Sequence, residues 1–171
     1  IYDALGHVLS ATVSGGGLSQ QTQYQYDARG NQTQQKDADG NITTRTYDGN
    51  GNVKTQTYAL TGSTTVTSTY TYDADNQQLS TVTRRSGQSG YDQYVQVKYN
   101  AFGAVVAKGD NAGYEATYTY NNAGQQTSAP VAATGAVHSY SYDLTGALVV
   151  DKSTLTGGGA STWTHNTLSL S

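Results

Sequence analysis

The chain repeats a five-residue motif: a tyrosine, then an aspartate or asparagine, then two variable residues and a glycine. Six intact copies begin at Tyr2, Tyr26, Tyr47, Tyr99, Tyr120 and Tyr142. A seventh copy begins at Tyr72 and has Asn76 in the glycine position. Asparagine is the residue that best replaces glycine where φ is positive, so this copy is expected to keep the turn. The repeat predicts a series of similar strand-turn-strand units.

The motif has the composition of a bulged hairpin turn. Aspartate or asparagine can accept a hydrogen bond from the backbone two residues further on, and a left-handed glycine then closes the loop. We therefore assign a structural role in the repeat to one set of residues. The set is Tyr2, Asp3, Gly6, Tyr26, Asp27, Gly30, Tyr47, Asp48, Gly51, Tyr72, Asp73, Tyr99, Gly103, Tyr120, Gly124, Tyr142, Asp143 and Gly146.

A second, more variable set of glycine-rich turn signals alternates with the tyrosine motifs. These signals lie at residues 14–17, 37–40, 60–63, 86–90, 109–113, 134–135 and 157–159. A chain that reverses so often, with Thr, Tyr and Val between the turns, is typical of an antiparallel meander. About fourteen short strands are expected. Those with expected bounds lie near 21–26, 31–36, 41–47, 52–58, 64–72, 77–84, 92–99, 114–120, 136–142 and 147–154.

Residues alternate strictly between two faces in the segments before the tyrosine motifs. Tyr24 and Tyr26 share one face, as do Tyr70 and Tyr72, while Gln, Thr and Ser occupy the other face. A period of two leaves little room for helix. The predicted fold is all-β, an antiparallel meander of repeated hairpins that forms a curved ribbon.

The chain has too few hydrophobic residues for an ordinary core, and many of them are tyrosines, which carry a polar hydroxyl. The 171 residues include 15 Tyr but one Phe, one Trp and no Met. Each buried phenol needs a partner for its hydroxyl, so a tyrosine-faced sheet is expected to depend on neighbours. Flanking repeats of a longer chain or further copies of this chain are the expected partners.

The charge and cysteine content of the chain argue against several classes of function. A net charge of −3 with 12% charged residues lacks the basic footprint of a nucleic-acid-binding protein. No apolar stretch is long enough to cross a bilayer. The absence of cysteine excludes disulfides and thiolate metal sites. Together with the high content of Thr, Gln, Asn, Gly and Tyr, this composition favours a secreted or cell-surface protein.

No catalytic, metal or cofactor site is predicted. Residues 37–41 resemble the start of a calcium loop, but a plain turn is the favoured interpretation because Asp, Asn and Gly are also what tight turns require. His7, His138 and His165 are dispersed and show no ligand spacing. No nucleophile motif accompanies them, so the chain is not expected to be an enzyme. Trp163 lies outside the repeats.

The tyrosine motif, with its period of about 21 residues and the glycine turns between, resembles the YD repeat of the RHS family. The resemblance runs from Tyr2 to about Val150 and is best between Tyr26 and Asn52. It implies a β-ribbon that spirals into a hollow shell, which in bacterial toxins encloses a C-terminal toxic domain. The proline-rich segment that ends bacterial shells is missing, since Pro130 is the only proline. The chain is therefore interpreted as an internal segment, with residues 1–154 forming the repeat sheet and residues 155–171 a terminal strand or tail.

Two functions follow as hypotheses. The first is a non-enzymatic scaffold in a secreted or surface bacterial protein, part of a shell that encapsulates or delivers a toxin domain. The second is an extracellular carbohydrate-binding or adhesive module, because exposed tyrosine rings flanked by amides and carboxylates can stack on sugars and bind their hydroxyls. An enclosed toxin domain and glycans are the corresponding candidate partners.

Overall fold

The structure is a computed structural model that describes residues 1–61, 63–88, 90, 92–131 and 135–155. These residues form β-strands and turns without any helix, as predicted. The strands are β1 (Ser10–Gly15), β2 (Leu18–Tyr26), β3 (Gln32–Lys36), β4 (Ile42–Tyr47), β5 (Val53–Thr61), β6 (Thr64–Tyr72), β7 (Gln78–Arg85), β8 (Gln93–Tyr99), β9 (Val105–Asp110), β10 (Gly113–Thr117), β11 (Thr119–Tyr120), β12 (Gln126–Val131), β13 (Ala136–Tyr142) and β14 (Leu148–Leu155).

The all-β meander is confirmed, with one correction to the expected strands. The span 114–120 is not one strand but two, β10 and β11, with Tyr118 between them. The pairing of β10 with β9 shifts register between Tyr114 and Ala116, and such a bulge bends the strand. Strands β1, β9 and β12, for which no bounds were predicted, lie between consecutive predicted turns.

The chain divides into two compact units, residues 1–94 and 95–171. In the first unit, β1 to β7 follow one another in the sheet, and each strand pairs antiparallel with the next. In the second unit, β9 pairs with both β8 and β10, and β11 to β14 form a further meander. Every one of these pairings joins strands that are neighbours in sequence, which is the hairpin connectivity that closely spaced turns dictate.

Each tyrosine motif from Tyr26 onward ends its strand with a register shift. The shift falls immediately before the tyrosine, for example between Gln25 and Tyr26 and between Thr46 and Tyr47. As a result, the tyrosine pairs with the residue six positions later, so that Tyr26 faces Gln32 and Tyr47 faces Val53. This is the bulged hairpin that the Asp-x-x-Gly sequence favours.

Very little of the described chain is buried. Val66, Ala107 and Ala136 are its only buried apolar residues, and Ser80 is a buried polar one. The buried Ser80 hydroxyl is paired across the strands with Thr71, at 2.7 Å between Ser80 Oγ and Thr71 Oγ1. The strand hydrogen bonds therefore contribute more to the order of these sheets than hydrophobic burial does.

This scarcity of buried side chains predicts that the isolated 171-residue chain self-associates. Apolar side chains such as Val13 and Leu18 remain 72% exposed, and sheet edges offer unpaired backbone groups to another chain. Sedimentation velocity at micromolar concentration should show oligomers or aggregates. A folded monomer that is stable over a tenfold dilution would contradict the expectation.

Candidate functional site

The tyrosine turns carry a repeated network of side-chain hydrogen bonds. In the Tyr26 turn, Asp27 Oδ1 accepts hydrogen bonds from the backbone N–H groups of Arg29 and Asn31, each at 2.9 Å. Asp27 Oδ2 accepts a third from Asn31 Nδ2 at 2.9 Å. Gly30 closes the loop with a φ of 84° and donates its N–H to Asp27 O at 3.0 Å. One carboxylate thus organises the whole turn.

The other copies of the motif are built in the same way. The side-chain Oδ1 of the second residue accepts two backbone N–H bonds at Asp3, Asp48, Asp73, Asn100, Asn121 and Asp143. The closing residue has positive φ at Gly6, Gly51, Asn76, Gly103, Gly124 and Gly146. Asn76, with φ of 63°, is the only non-glycine residue with positive φ in the described chain. Its left-handed conformation agrees with the substitution of asparagine for glycine in that copy.

The calcium-like segment at residues 37–41 is a turn of the same kind. Asp37 Oδ1 accepts from Asn41 N and Asp37 Oδ2 from Asn41 Nδ2, both at 2.8 Å, so the carboxylate already has partners. Among the described residues, no three His, Cys, Asp or Glu side chains converge in a way that could hold a metal ion.

The tyrosine hydroxyls connect each repeat to the one before it. Tyr47 Oη donates to Gln32 O at 2.6 Å, and Gln32 is the residue that pairs with Tyr26, the tyrosine of the preceding repeat. Four further tyrosines make the equivalent bond, each to the pairing partner of the preceding motif tyrosine. They are Tyr26 to Val8 O (2.9 Å), Tyr72 to Val53 O (2.9 Å), Tyr120 to Val105 O (2.8 Å) and Tyr142 to Gln126 O (2.7 Å). We call these bonds the tyrosine latches.

A second contact joins consecutive turns at the glycine position. A Cβ placed on Gly30 would lie 2.9 Å from His7 Nε2, and one on Gly146 would lie 3.2 Å from Gln125 Nε2. His7 and Gln125 each follow the tyrosine of the preceding motif by five residues. The positive φ angle favours glycine at these positions, and a larger residue there would also have to displace the end of the His7 or Gln125 side chain. Where Asn76 replaces glycine, its Oδ1 instead accepts from the Nδ2 atoms of Asn50 and Asn52, each at 2.8 Å.

The described histidines are parts of this packing. His7 Nδ1 lies 2.8 Å from Asp3 Oδ2, and its ring stacks on Tyr26 with centroids 4.8 Å apart. His138 Nδ1 lies 2.6 Å from Asp151 Oδ1 on the neighbouring strand. His165 and Trp163 lie outside the described residues.

Two open grooves lie between consecutive tyrosine turns of the first unit. The larger, which we call the Tyr70 groove, has a volume of about 610 Å³ and runs from the Tyr47 turn to the Tyr72 turn over Lys54 and Tyr70. The smaller, the Arg45 groove, has a volume of about 460 Å³ and lies on the other side of the Tyr47 turn. Because both grooves are lined by Tyr47, Asp48 and Gly49, they are adjacent.

Comparison with known proteins identifies the repeat. The sequence profile of the family described as Teneurin YD-shell matches residues 1–157. The chain belongs to this YD-shell family. The resemblance to RHS/YD repeats is thereby confirmed, and the latches and turns are those of a YD-shell segment. None of the curated proteins matches the chain.

Solved structures of toxin complexes share the fold. The complex TcdB2-TccC3 without its hypervariable C-terminal region matches with a TM-score of 0.53 at 20% identity, covering 96% of this chain and 11% of that one. TcdB2-TccC3 itself gives a TM-score of 0.52 at 19% identity, covering 96% of this chain and 12% of that one. The chain thus spans about a ninth of the length of these shell-containing proteins. No helix in the described residues has the length and hydropathy required to cross a membrane.

The YD turns of Asp27 and Asp48 favour the charged form of their carboxylates. Hydrogen bonds from the side-chain amide and then the backbone N–H of Asn31 hold the pKa of Asp27 below its usual value. Asn52 lowers the pKa of Asp48 in the same way, first through its side chain. Because these bonds form only in the folded turn, the folded state binds protons more weakly than the unfolded chain does.

The lowered pKa values predict a loss of stability in acid. The carboxylates contribute fully above their unfolded-state pKa of 3.8, and the contribution is lost as pH falls below that value. The double variant Asp27→Asn and Asp48→Asn should therefore lose less stability than the natural chain between pH 7 and pH 3. Asn100 and Asn121 show that asparagine fits the position. Urea midpoints measured at both pH values test this, and equal acid sensitivity of the two proteins would refute it.

Proposed function

We propose that the chain is a wall segment of a hollow YD-shell and acts as a non-enzymatic scaffold. The observation that carries the proposal is the latch series, in which five described tyrosines each bind the backbone of the preceding repeat. Such bonds tie successive hairpins together. They use the tyrosine side chains for assembly instead of for a reaction.

The parent protein is proposed to be secreted or exposed at a cell surface and to enclose or deliver a toxin domain. Support comes from the shared fold with TcdB2-TccC3, whose crystal structures include one without a hypervariable C-terminal region. Residues 1–154 would form the repeat sheet, and residues 155–171 a terminal strand or tail. Flanking repeats would supply the neighbours that the thin core requires.

Limited proteolysis of the full-length protein tests whether the shell encloses a domain. We expect one segment outside residues 1–155 to resist protease in the native protein and to be digested once mild denaturant opens the wall. A full-length variant with a weakened wall, Gly109→Ala, should lose that protection at lower denaturant concentration. If the native protein is digested at similar rates throughout, the enclosing function is wrong.

A second candidate function is binding of carbohydrate. The Tyr70 groove favours it, because it combines an aromatic ring with polar turn residues in an open cleft of about 610 Å³. Binding of any glycan by the full-length protein on a glycan array is the test. Absence of binding to every glycan would remove this candidate and leave the scaffold function untouched.

A further inference from the structure

The two grooves share a planar platform at equivalent positions of the repeat. Tyr70 lies two residues before Tyr72, and Arg45 lies two residues before Tyr47. Each lines its own groove and is half-buried, so part of the planar group faces the groove. Tyrosine rings and guanidinium groups both present flat faces on which another ring can stack.

Tyr70 differs from the latch tyrosines in having an unused hydroxyl. Tyr72 donates its hydroxyl to Val53 O, whereas the Tyr70 hydroxyl makes no hydrogen bond within the described part of the chain. The Tyr72 latch therefore holds the wall of the groove, while Tyr70 keeps both a ring face and a donor for a ligand.

The Tyr70 groove combines a carboxylate that already has hydrogen-bond partners with a cation that remains available. Asp48 accepts two backbone N–H bonds and one side-chain bond within its own turn. Lys54, in contrast, is exposed and makes no hydrogen bond or ion pair with a described residue. The Lys54 ammonium group, beside the Tyr70 ring, can donate hydrogen bonds to the ring and hydroxyl oxygens of a sugar.

The spacing of the platforms selects the kind of chain that fits. Equivalent positions in consecutive hairpins are two strands apart. Arg45 pairs with Gln56, and Gln56 with Ser68, so Tyr70 is also displaced by one to two residues along the strands. At the usual strand spacing and rise, the two platforms lie roughly 10–12 Å apart. In an extended β-1,4-linked polysaccharide, each sugar is turned over relative to the last, so the same ring face recurs with every disaccharide. A flat ribbon of this kind would stack one disaccharide on each groove.

We propose that the Tyr70 and Arg45 grooves together bind a linear β-1,4-linked oligosaccharide, with one disaccharide per YD repeat. This inference rests on the second candidate function. Tyr70 and Arg45 provide the stacking platforms, Lys54 donates to sugar oxygens, and the shared Tyr47 turn sets the register between the two disaccharides.

Oligosaccharides of defined length and linkage test the register. Cellohexaose and chitohexaose should bind the full-length protein, and the corresponding tetrasaccharides should bind at least about tenfold more tightly than the disaccharides because they fill both grooves. The α-linked maltohexaose, which coils, should bind at least about tenfold more weakly than the β-linked chains. Affinities that do not depend on length or linkage would overturn the proposal.

Variants locate the site. Tyr70→Ala should weaken hexasaccharide binding about tenfold, whereas Tyr70→Phe keeps the platform and should weaken it less. Lys54→Ala, an exposed change that leaves folding intact, should also weaken it. Tyr58→Ala removes an exposed tyrosine of the same unit outside both grooves and serves as the matched control. Unchanged binding by Tyr70→Ala and Lys54→Ala would overturn the site.

The outcomes separate this proposal from the function on which it rests. If no glycan of any class binds, carbohydrate binding itself fails. If glycans bind but α-linked chains bind equally well, or the groove variants bind like the natural chain, carbohydrate binding stands and the disaccharide register is wrong.

Discussion

Replacing Gly109 by alanine is expected to lower the free energy of unfolding by more than about 2 kcal/mol. A Cβ at Gly109 would lie 2.6 Å from Tyr114 Cα and 2.7 Å from the carbonyl carbon of Gly113, both in the paired strand β10. These are backbone atoms, so no side-chain rotation relieves the overlap. The β9–β10 hairpin must separate or change its bulge.

Gly15→Ala is the matched control for this prediction. Gly15 also lies in a strand, has no positive φ, and leaves its Cβ position without a neighbouring atom within 4 Å. Alanine should be tolerated there or should stabilise by up to about 1 kcal/mol through the unfolded state. Chemical denaturation at one fixed protein concentration compares the two variants. Equal midpoints would show that the close approach at Gly109 does not constrain the fold.

Removal of three tyrosine latches from the first unit is expected to cost about 3 kcal/mol. The triple change of Tyr26, Tyr47 and Tyr72 to phenylalanine deletes only hydroxyls, and each loss leaves a half-buried carbonyl without its donor, at about 1 kcal/mol apiece. The sites belong to different repeats, so their effects should be nearly additive.

A second triple change, of Tyr24, Tyr58 and Tyr70 to phenylalanine, is the control for the latches. These hydroxyls form no hydrogen bond within the described chain, so the change should alter stability by less than about 0.5 kcal/mol. Denaturant midpoints of both triple variants, at the same protein concentration, decide the issue. If the two triple variants are equally stable, the latch hydrogen bonds make no net contribution to stability, because water replaces them.

The strands were predictable because the sequence encodes them locally. Alternation of Tyr with Gln or Thr sets the strand faces, and Asp-x-x-Gly sets the turns, so β4 and β6 fall within a residue of their expected bounds. The split between β10 and β11 was not predictable, because the bulge near Tyr114 depends on pairing with β9 and leaves no mark in the alternation.

The latches were not predictable for a related reason. The partner of the Tyr47 hydroxyl is a backbone carbonyl 15 residues away, and its position depends on the register shift at the turn. The sequence also does not show which glycines have close neighbours. Gly30 and Gly87 both have positive φ, of 84° and 74°. Of the two, only Gly30 has a neighbouring atom within 4 Å of the position that a Cβ would occupy. Composition had indicated that buried phenols need partners, without saying which ones.

A cryo-EM structure of the full-length protein would show directly whether these repeats form part of a continuous shell wall, as we propose. We predict that residues 1–155 continue the hairpin meander of flanking repeats, with latch bonds on both sides, in a wall around an enclosed space. A structure in which residues 1–155 form a separate domain, with strands that pair with no other repeat, would show that they are not part of a shell wall.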